Sequence, residues 1–185
     1  MENPVIDLLW KRRATRSIDT EALPMGVMEE ILEAARLAPS CYNKQPWRFL
    51  FIHSDKALEK GRKSLTGGNT KWANRAPLLI VGSSHPDSDC KPKDGREYDK
   101  FDTGMAVMNI MLAATHLGLV ARPMAGWDPQ VIREEFGEQI GKNEPVVMLA
   151  VGKPGDDESH VPDSYKGIED KPRTRKAADE IATFL

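Results

Sequence analysis

Residues 37–49 have the sequence Leu-Ala-Pro-Ser-Cys-Tyr-Asn-Lys-Gln-Pro-Trp-Arg-Phe, and they join the two elements that set the fold. Apolar residues recur at helical spacing over residues 25–37, which predicts a helix. The apolar, aromatic run at residues 47–52 has the length and composition of a buried strand. The short loop between them is polar, and its hydrogen-bonding side chains are Ser40, Asn43 and Gln45. Such a loop suits either a binding site on rigid supports or a plain helix stop and turn, and these residues alone favour neither.

The remaining periodicity predicts a layered α+β domain. Further helices are predicted over residues 5–13, 56–65, 102–117 and 129–136, and further strands over residues 77–82, 119–124 and 145–152. Because helices outnumber strands, we expect one sheet covered by helices. The helix at residues 102–117 is apolar on nearly all sides, which indicates burial in the core or in a subunit interface. Residues 84–100 are rich in Pro, Asp, Lys and Gly and are expected to form a loop.

Composition excludes several classes of protein. The 185 residues fit one domain, and a formal net charge of -2 gives no general attraction to nucleic acids or membranes. No apolar run of about 18 residues is present, and residues 1–4 do not resemble the start of a secretory signal, so we expect a cytoplasmic location. Cys41 and Cys90 are too few for a disulfide framework in a chain of this length, which predicts free thiols.

Two basic segments lie near the ends of the chain. Residues 11–16 read Lys-Arg-Arg-Ala-Thr-Arg, and residues 171–176 read Lys-Pro-Arg-Thr-Arg-Lys. Each suits a solvated helix end or surface patch. Guanidinium groups also bind phosphate oxygens through paired, charge-assisted hydrogen bonds, so a phosphate clamp is the other interpretation. The segments alone leave both open.

The other polar residues predict neither a metal site nor an acid–base catalyst. The loop at residues 84–100 contains His85, Asp87, Asp89 and Cys90, but their spacing matches no zinc pattern. The four histidines have no triad-like context, so we expect no protein nucleophile or general base.

Four motifs occur in an order that resembles the nitroreductase family. Residues 11–16 are similar to its N-terminal Arg-Arg-Ser-x-Arg signature, and residues 39–47 to its Pro-Ser-x-x-Asn-x-Gln-Pro-Trp motif. Residues 123–128 resemble its Gly-aromatic-Asp turn, and residues 173–176 its closing Lys-x-Arg segment. The second motif is the most specific, and together the four span nearly the whole chain.

The resemblance implies an α+β, nitroreductase-like fold, with a central antiparallel or mixed sheet covered by helices. It also implies an intertwined homodimer with two FMN sites at its interface. Residues 1–185 would form a single domain, in which residues 153–185 are an extended C-terminal segment that packs on the partner subunit. The other expected partner is a small-molecule acceptor, with no nucleic acid and no membrane.

The resemblance also assigns residues to FMN. In chain order they are Arg12, Arg13, Ala14, Arg16, Pro39, Ser40, Cys41, Asn43, Gln45, Asn69, Met124, Ala125, Gly126, Arg173 and Arg175. The N-terminal arginines would hold the phosphate and ribityl chain, and residues 39–41 would reach the isoalloxazine from the partner subunit. Asn69 would bond the pyrimidine edge, residues 125–126 would lie beside flavin N5, and the C-terminal arginines would lie near the pyrimidine end and the phosphate. Ala14 stands where the family usually has Ser, and Ala125 where several relatives have Glu.

The implied activity is a two-electron, ping-pong reduction of nitroaromatics, quinones or similar acceptors by NAD(P)H. FMN would carry the chemistry, so no catalytic side chain is nominated. Tyr98 and Phe101 are expected, from position alone, to shape the substrate pocket. Two alternatives remain. One is a dehalogenating or flavin-fragmenting member of the family. The other is a flavin-binding or regulatory protein with little turnover, because Ala14 and Ala125 remove polar groups.

Overall fold

Four strands form one antiparallel sheet in this computed structural model, which describes residues 3–169 and 171–185. The strands are β1 (Arg48–Ile52), β2 (Leu78–Ser84), β3 (Val120–Met124) and β4 (Glu144–Gly152). Their order is β1-β2-β4-β3, and each neighbouring pair is antiparallel. The predicted α+β class and the central sheet are therefore confirmed, with all four strands where the apolar runs place them.

Six helices accompany the sheet in the described part of the chain. They are α1 (Pro4–Lys11), α2 (Met25–Arg36), α3 (Asp55–Arg62), α4 (Asn69–Trp72), α5 (Asp99–His116) and α6 (Pro129–Ile140). The start of α6 follows from local chemistry, since Asp128 accepts a hydrogen bond from the Gln130 backbone N–H and Pro129 takes the first helical position. The short α4 was not predicted, and α5 begins three residues before the predicted start.

Helices cover both faces of the sheet, and β2 shows why. All seven residues of this strand are buried, and their side chains alternate between two apolar clusters. Leu79 and Val81 pack with residues of α3, α4 and α6, whereas Leu78 and Ile80 pack with residues of α2 and α5. A strand buried on both faces reads as a continuous apolar run, which is what the sequence has at residues 78–81.

Gly152 lies at the end of β4, where another element passes too close for a side chain. A Cβ at this position would lie 2.5 Å from Ile18 Cγ2 and 2.9 Å from Pro77 Cδ. Overpacking of a buried contact typically costs about 1–3 kcal/mol, so we expect Gly152→Ala to lower the free energy of unfolding by that amount in a denaturant titration. Gly26→Ala is the control, because no atom lies within 4 Å of its Cβ position. Equal stability of the two variants would contradict this packing.

None of the helices among residues 3–169 and 171–185 is both long and apolar enough to cross a membrane.

The prediction of free thiols is wrong, because Cys41 and Cys90 form a disulfide bond. The two residues are 49 positions apart in sequence, yet the fold brings their Cα atoms to 5.9 Å. The loop before β1 and the loop before α5 meet at the start of α5, where Asp102 accepts a hydrogen bond from the Cys41 backbone N–H at 2.7 Å. Sequence spacing did not reveal this pairing, since it depends on how two distant loops pack.

Candidate functional site

Arginines from both ends of the chain line one cleft of about 350 Å³, called here the arginine cleft. They are Arg12, Arg13 and Arg16 from the N-terminal segment and Arg173 and Arg175 from the C-terminal segment. Ala14 lies on the same wall. The structure thus brings together five arginines that come from opposite ends of the sequence and that the resemblance assigns to one cofactor.

The C-terminal segment is attached to the end of α1 through Arg173. Its guanidinium donates hydrogen bonds to the carbonyls of Leu9 at 2.8 Å and Trp10 at 3.1 Å, and also to that of Arg12. The last carbonyls of a helix have no partner within the helix, so a guanidinium can satisfy them. The same group lies 5.3 Å from the centre of the Trp10 ring. Arg173 therefore joins the two ends of the chain besides lining the cleft.

Arg13 and Arg16 hold the segment around Glu169. Arg13 donates to the carbonyls of Glu169 and Lys171, both at 2.7 Å. Arg16 donates from its backbone N–H and its guanidinium to the Glu169 carboxylate, at 2.9 and 2.6 Å. The Arg16 guanidinium also lies over the Tyr165 ring, 3.8 Å from its centre. These contacts fix one wall of the cleft.

The cleft carries more positive charge than its carboxylate balances. Partial burial, followed by repulsion from Arg175 and Arg13, holds the pKa of Arg12 below its ordinary value. Burial, followed by repulsion from Arg12 and Arg175, does the same to the pKa of Arg173. Within the described residues the Arg12 side chain makes no ion pair or hydrogen bond. A multiply charged anion would relieve this repulsion, so the cleft is suited to a phosphate group.

A second cleft, of about 290 Å³, adjoins the first and is called here the glycine-turn cleft. Residues 66–69 and residues 122–126 form its walls, and Arg16 belongs to both clefts. Asn69, Met124, Ala125 and Gly126, which the resemblance assigns to FMN, all lie here. All ten predicted cofactor residues from outside the 39–45 loop therefore line these two neighbouring clefts.

The geometry of the glycine-turn cleft depends on Asn69 and Gly126. The Asn69 side-chain amide donates to the Gly126 carbonyl at 2.9 Å, and its oxygen accepts from Trp72 Nε1 at 2.9 Å. The Thr66 backbone N–H also donates to the Gly126 carbonyl, at 3.0 Å. A Cβ on residue 126 would lie only 2.7 Å from the Asn69 amide nitrogen and 3.2 Å from the Thr66 carbonyl oxygen. Glycine is thus needed for close approach rather than for an unusual backbone angle.

The loop with the most specific motif lies outside both clefts. Ser40 accepts a hydrogen bond from the Gln45 backbone N–H at 2.9 Å, and the Gln45 amide donates to Asn43 at 3.2 Å. Three of the four residues at positions 42–45, namely Tyr42, Asn43 and Gln45, have positive φ angles of 49, 56 and 48°. Pro39 and Cys41 belong to the same loop. Within one chain these residues do not meet the arginines, so their role in a cofactor site stays a prediction.

Tyr98 and Phe101 lie next to each other at the start of α5. Their rings meet edge to face with centres 5.7 Å apart, and with Arg96 and Glu97 they line a separate hollow of about 340 Å³. Within one chain this hollow is not part of either cleft, so their assignment to a substrate pocket also stays a prediction.

Arg122 and Glu169 were missed by the sequence analysis. Arg122 lines both clefts. Its guanidinium lies 3.5 Å from the Glu169 carboxylate and 5.3 Å from the centre of the Trp72 ring. Burial, followed by repulsion from Arg16, lowers the pKa of Arg122. The available signal was a single arginine in the otherwise uncharged strand Val-Ala-Arg-Pro-Met. Glu169 stands in a polar segment with no motif, so its position became visible only in three dimensions.

Comparisons with known proteins agree with this architecture. The model of the nitroreductase family matches residues 9–71 and 59–153. A protein named NADH dehydrogenase from Thermus thermophilus is 27% identical over 187 residues, covering 83% of this chain and 90% of that protein. An oxygen-insensitive NADPH nitroreductase from Helicobacter pylori is 27% identical over 180 residues, covering 79% and 85%.

Solved structures give the same result at the level of the whole fold. A crystal structure described as an oxidoreductase containing FMN is 29% identical, with a TM-score of 0.84 over 99% of this chain and 92% of that one. A nitroreductase family protein from Clostridium difficile is 26% identical, with a TM-score of 0.78 over 100% of this chain and 98% of that one. The family model alone covers well over half of the sequence. The chain belongs to the nitroreductase family.

Proposed function

We propose that this protein is an FMN-dependent oxidoreductase that transfers two electrons from NAD(P)H to an electron-poor acceptor such as a nitroaromatic or a quinone. The observation that carries the proposal is the meeting of Arg12, Arg13, Arg16, Arg173 and Arg175 in one cleft. That cleft lies next to the glycine-turn cleft, and Arg16 and Arg122 line both. A phosphate site joined to a slot with few charged side chains matches a molecule that has a phosphate at one end and a flat ring at the other.

The residues present fit FMN on chemical grounds. The phosphate carries two negative charges, and Arg12 offers it a guanidinium without a carboxylate partner in the described part of the chain. Ala14 offers no hydroxyl, so binding of the phosphate depends on guanidinium groups and backbone N–H groups. On the ring side, the backbone N–H of Gly126 makes no hydrogen bond within the described residues and is assigned to flavin N5.

FMN, when bound, supplies two-electron transfer between NAD(P)H and the acceptor. The chain's own residues bind and orient. The arginine cleft would bind the phosphate end. The Asn69 side chain and the Thr66 backbone N–H hold the residue 126 peptide through hydrogen bonds to its carbonyl. Arg16 and Arg122 line both clefts, and their guanidinium groups would offset negative charge on a reduced cofactor bound there. NAD(P)H and the acceptor would use the same site in turn, which is a ping-pong reaction.

We propose that the site is completed in a homodimer. The loop of residues 39–45 lies outside the clefts of its own chain, and α1 buries none of its residues. Val5 and Trp10 of α1 are 62% and 57% exposed, and Phe184 in the C-terminal segment is 93% exposed. Exposed apolar side chains such as these indicate surfaces that a second copy of the chain would cover. Light scattering should give about twice the chain mass of 20.6 kDa, and a monomer that binds FMN at full affinity would contradict this assembly.

The experiment that tests the function has two parts. The visible spectrum of the purified protein, followed by cofactor release and mass measurement, should identify FMN. Steady-state NAD(P)H oxidation with menadione or nitrofurazone should then give the parallel reciprocal plots of a ping-pong reaction. Colour without turnover would favour a flavin-binding protein, and turnover of halogenated aromatics or consumption of FMN itself would favour the alternative enzymes. Failure to bind FMN at all would end the proposal.

Gly126→Ala should weaken FMN binding without unfolding the protein. The new Cβ would lie 2.7 Å from the Asn69 amide nitrogen, so Asn69 must move and its hydrogen bond to residue 126 is lost. One neutral hydrogen bond contributes about 0.5–1.5 kcal/mol, and we therefore expect FMN affinity to fall by about 2- to 10-fold. Fluorescence quenching of added FMN measures this. Gly26→Ala, with open space around its Cβ position, should leave the affinity unchanged.

A further inference from the structure

Three buried carboxylates lie at the end of the fold that is formed by the start of α5 and the loop before it. Asp89, Asp99 and Asp102 are 6%, 1% and 1% exposed. Each has one bonded oxygen: Asp89 accepts from the Cys90 backbone N–H at 2.7 Å, Asp99 from Ser84 Oγ at 2.6 Å and Asp102 from the Cys41 backbone N–H at 2.7 Å.

Two of the remaining oxygens of these carboxylates are buried and not satisfied. Asp89 Oδ2 and Asp99 Oδ1 are buried and have no hydrogen-bond partner among the described residues. None of the ion pairs in that part of the chain includes Asp89, Asp99 or Asp102. Burial of an ionised carboxylate without a partner is costly, and proteins normally compensate it with a cation, a donor or a metal ion.

The two cysteines lie directly beside Asp89. The Sγ atoms of Cys41 and Cys90 and a carboxylate oxygen of Asp89 all lie within 4.8 Å of one another. Both cysteines are only partly buried, so the cluster can be reached from solvent. Two sulfurs and an unsatisfied, buried carboxylate at one point form a ligand set for a soft or borderline divalent metal ion.

We propose that the reduced form of this protein binds a divalent metal ion of the zinc class through Cys41, Cys90 and Asp89, and that the disulfide is the oxidised form of the same site. The site lies outside the two clefts of its own chain, although Cys41 belongs to the loop that is expected to complete the flavin site of a partner subunit. Metal binding itself does not depend on the flavin function. It also replaces the sequence-based expectation of no metal site. Spacing did not reveal it because its two thiols are 49 residues apart and only the fold joins them.

The ligand chemistry fits a tetrahedral ion. Zinc is bound by thiolates at about 2.3 Å and by carboxylates at about 2.0–2.2 Å, and three protein ligands leave the fourth position to water. The Cα atoms of the two cysteines, 5.9 Å apart, are close enough for both thiolates to reach one ion. A dication would compensate the charge of Asp89 directly and would lie in the negative field of Asp102 and Asp99.

The disulfide and the bound metal ion exclude each other, because the ion needs two thiolates and the disulfide has none. Reduction by a water-soluble phosphine breaks the S–S bond, adds two electrons and two protons to give two thiols, and converts the phosphine and one water into the phosphine oxide. Binding of the ion then releases the two thiol protons, since thiolates are the ligands. Reoxidation of the metal-bound dithiolate by a small-molecule disulfide forms the protein S–S bond, breaks that of the reagent and releases the ion. The two small thiolates that leave take up two protons from solvent.

The test uses the full-length protein as purified, with any bound flavin, after treatment with a chelator and its removal. Co²⁺ alone is titrated in the absence of oxygen, with and without prior phosphine reduction. Tetrahedral thiolate-bound Co²⁺ absorbs at longer wavelengths than oxidised flavin, so the two signals are separable. We expect one Co²⁺ per reduced chain, displaced by one Zn²⁺, and no such signal from the oxidised protein.

Matched variants assign the ligands. Cys90→Ser and Asp89→Asn should each weaken Co²⁺ binding at least tenfold in reduced protein. Asp87→Asn removes the same charge from an exposed carboxylate of the same loop, which pairs with Lys91, and should change nothing. Reduced wild-type protein that binds Co²⁺ no better than oxidised protein or Cys90→Ser would overturn the proposal. Unchanged affinity in Asp89→Asn would overturn the assignment of its carboxylate.

Discussion

Replacing Arg12 with glutamine will weaken FMN binding by about 10- to 100-fold. Arg12 lies in the arginine cleft, and partial burial, followed by repulsion from Arg175 and Arg13, lowers its pKa. A phosphate is the group that would turn this repulsion into attraction. Hydrogen bonds to charged groups contribute about 1.5–3 kcal/mol, and each 1.4 kcal/mol is a factor of ten in affinity. The dissociation constant of FMN, measured by fluorescence titration of the apoprotein, checks the prediction.

The same variant should separate a binding role from a structural one. Because neighbouring cations disfavour the charge on Arg12 in the folded chain, its removal should leave the unfolding midpoint of the apoprotein equal or higher. Arg36→Gln is the matched control, since that arginine is exposed and its one ion pair in the described part of the chain is with Glu33 on α2. Exposed pairs contribute little, so neither FMN affinity nor stability should change by much. Unchanged FMN affinity in Arg12→Gln would contradict the assignment of the FMN phosphate to this cleft.

Local patterns predicted the fold because each element carries its own signal. Residues 25–37 have a helical period, and residues 78–81 are a continuous apolar run, and both signals survive into α2 and β2. The boundaries were less accurate: the predicted helix at residues 129–136 continues to Ile140, and the one at 5–13 ends at Lys11. These ends depend on tertiary contacts that short-range periodicity does not contain.

The candidate site was predictable only where a motif stands on contiguous residues. The arginines of residues 12–16 and 173–175 and the turn at 124–126 follow from such motifs, and they line the two clefts. Arg122 and Glu169 belong to no motif, and they come together only because the C-terminal segment packs next to β3. The cysteine pair was mispredicted for the same reason, since two loops 49 residues apart have to pack before the thiols can meet.

Reduction of the disulfide will lower the free energy of unfolding by about 4 kcal/mol in protein kept free of metal by a chelator. The bond closes a loop of 49 residues, and the chain-entropy estimate for loops between 15 and 100 residues is about 3–4.7 kcal/mol. Urea titrations with and without a phosphine measure the difference. The Cys41→Ser/Cys90→Ser double variant should have the stability of the reduced protein and should not respond to the phosphine. If the unfolding midpoint of the wild-type protein is the same with and without the phosphine, the disulfide does not form.

Zinc should reverse part of this loss, and only in the reduced protein. An ion that binds the native chain alone stabilises it by about 2.7 kcal/mol at a free concentration 100 times its dissociation constant. The oxidised protein and the double variant lack the two thiolates, so Zn²⁺ should leave their midpoints unchanged. The loop that contains Cys41 and the loop that contains Cys90 would then stay joined in either redox state, by the disulfide in the oxidised protein and by the ion in the reduced protein. Because Cys41 adjoins Ser40 in the 39–45 loop, both states would keep this loop fixed for the proposed flavin site.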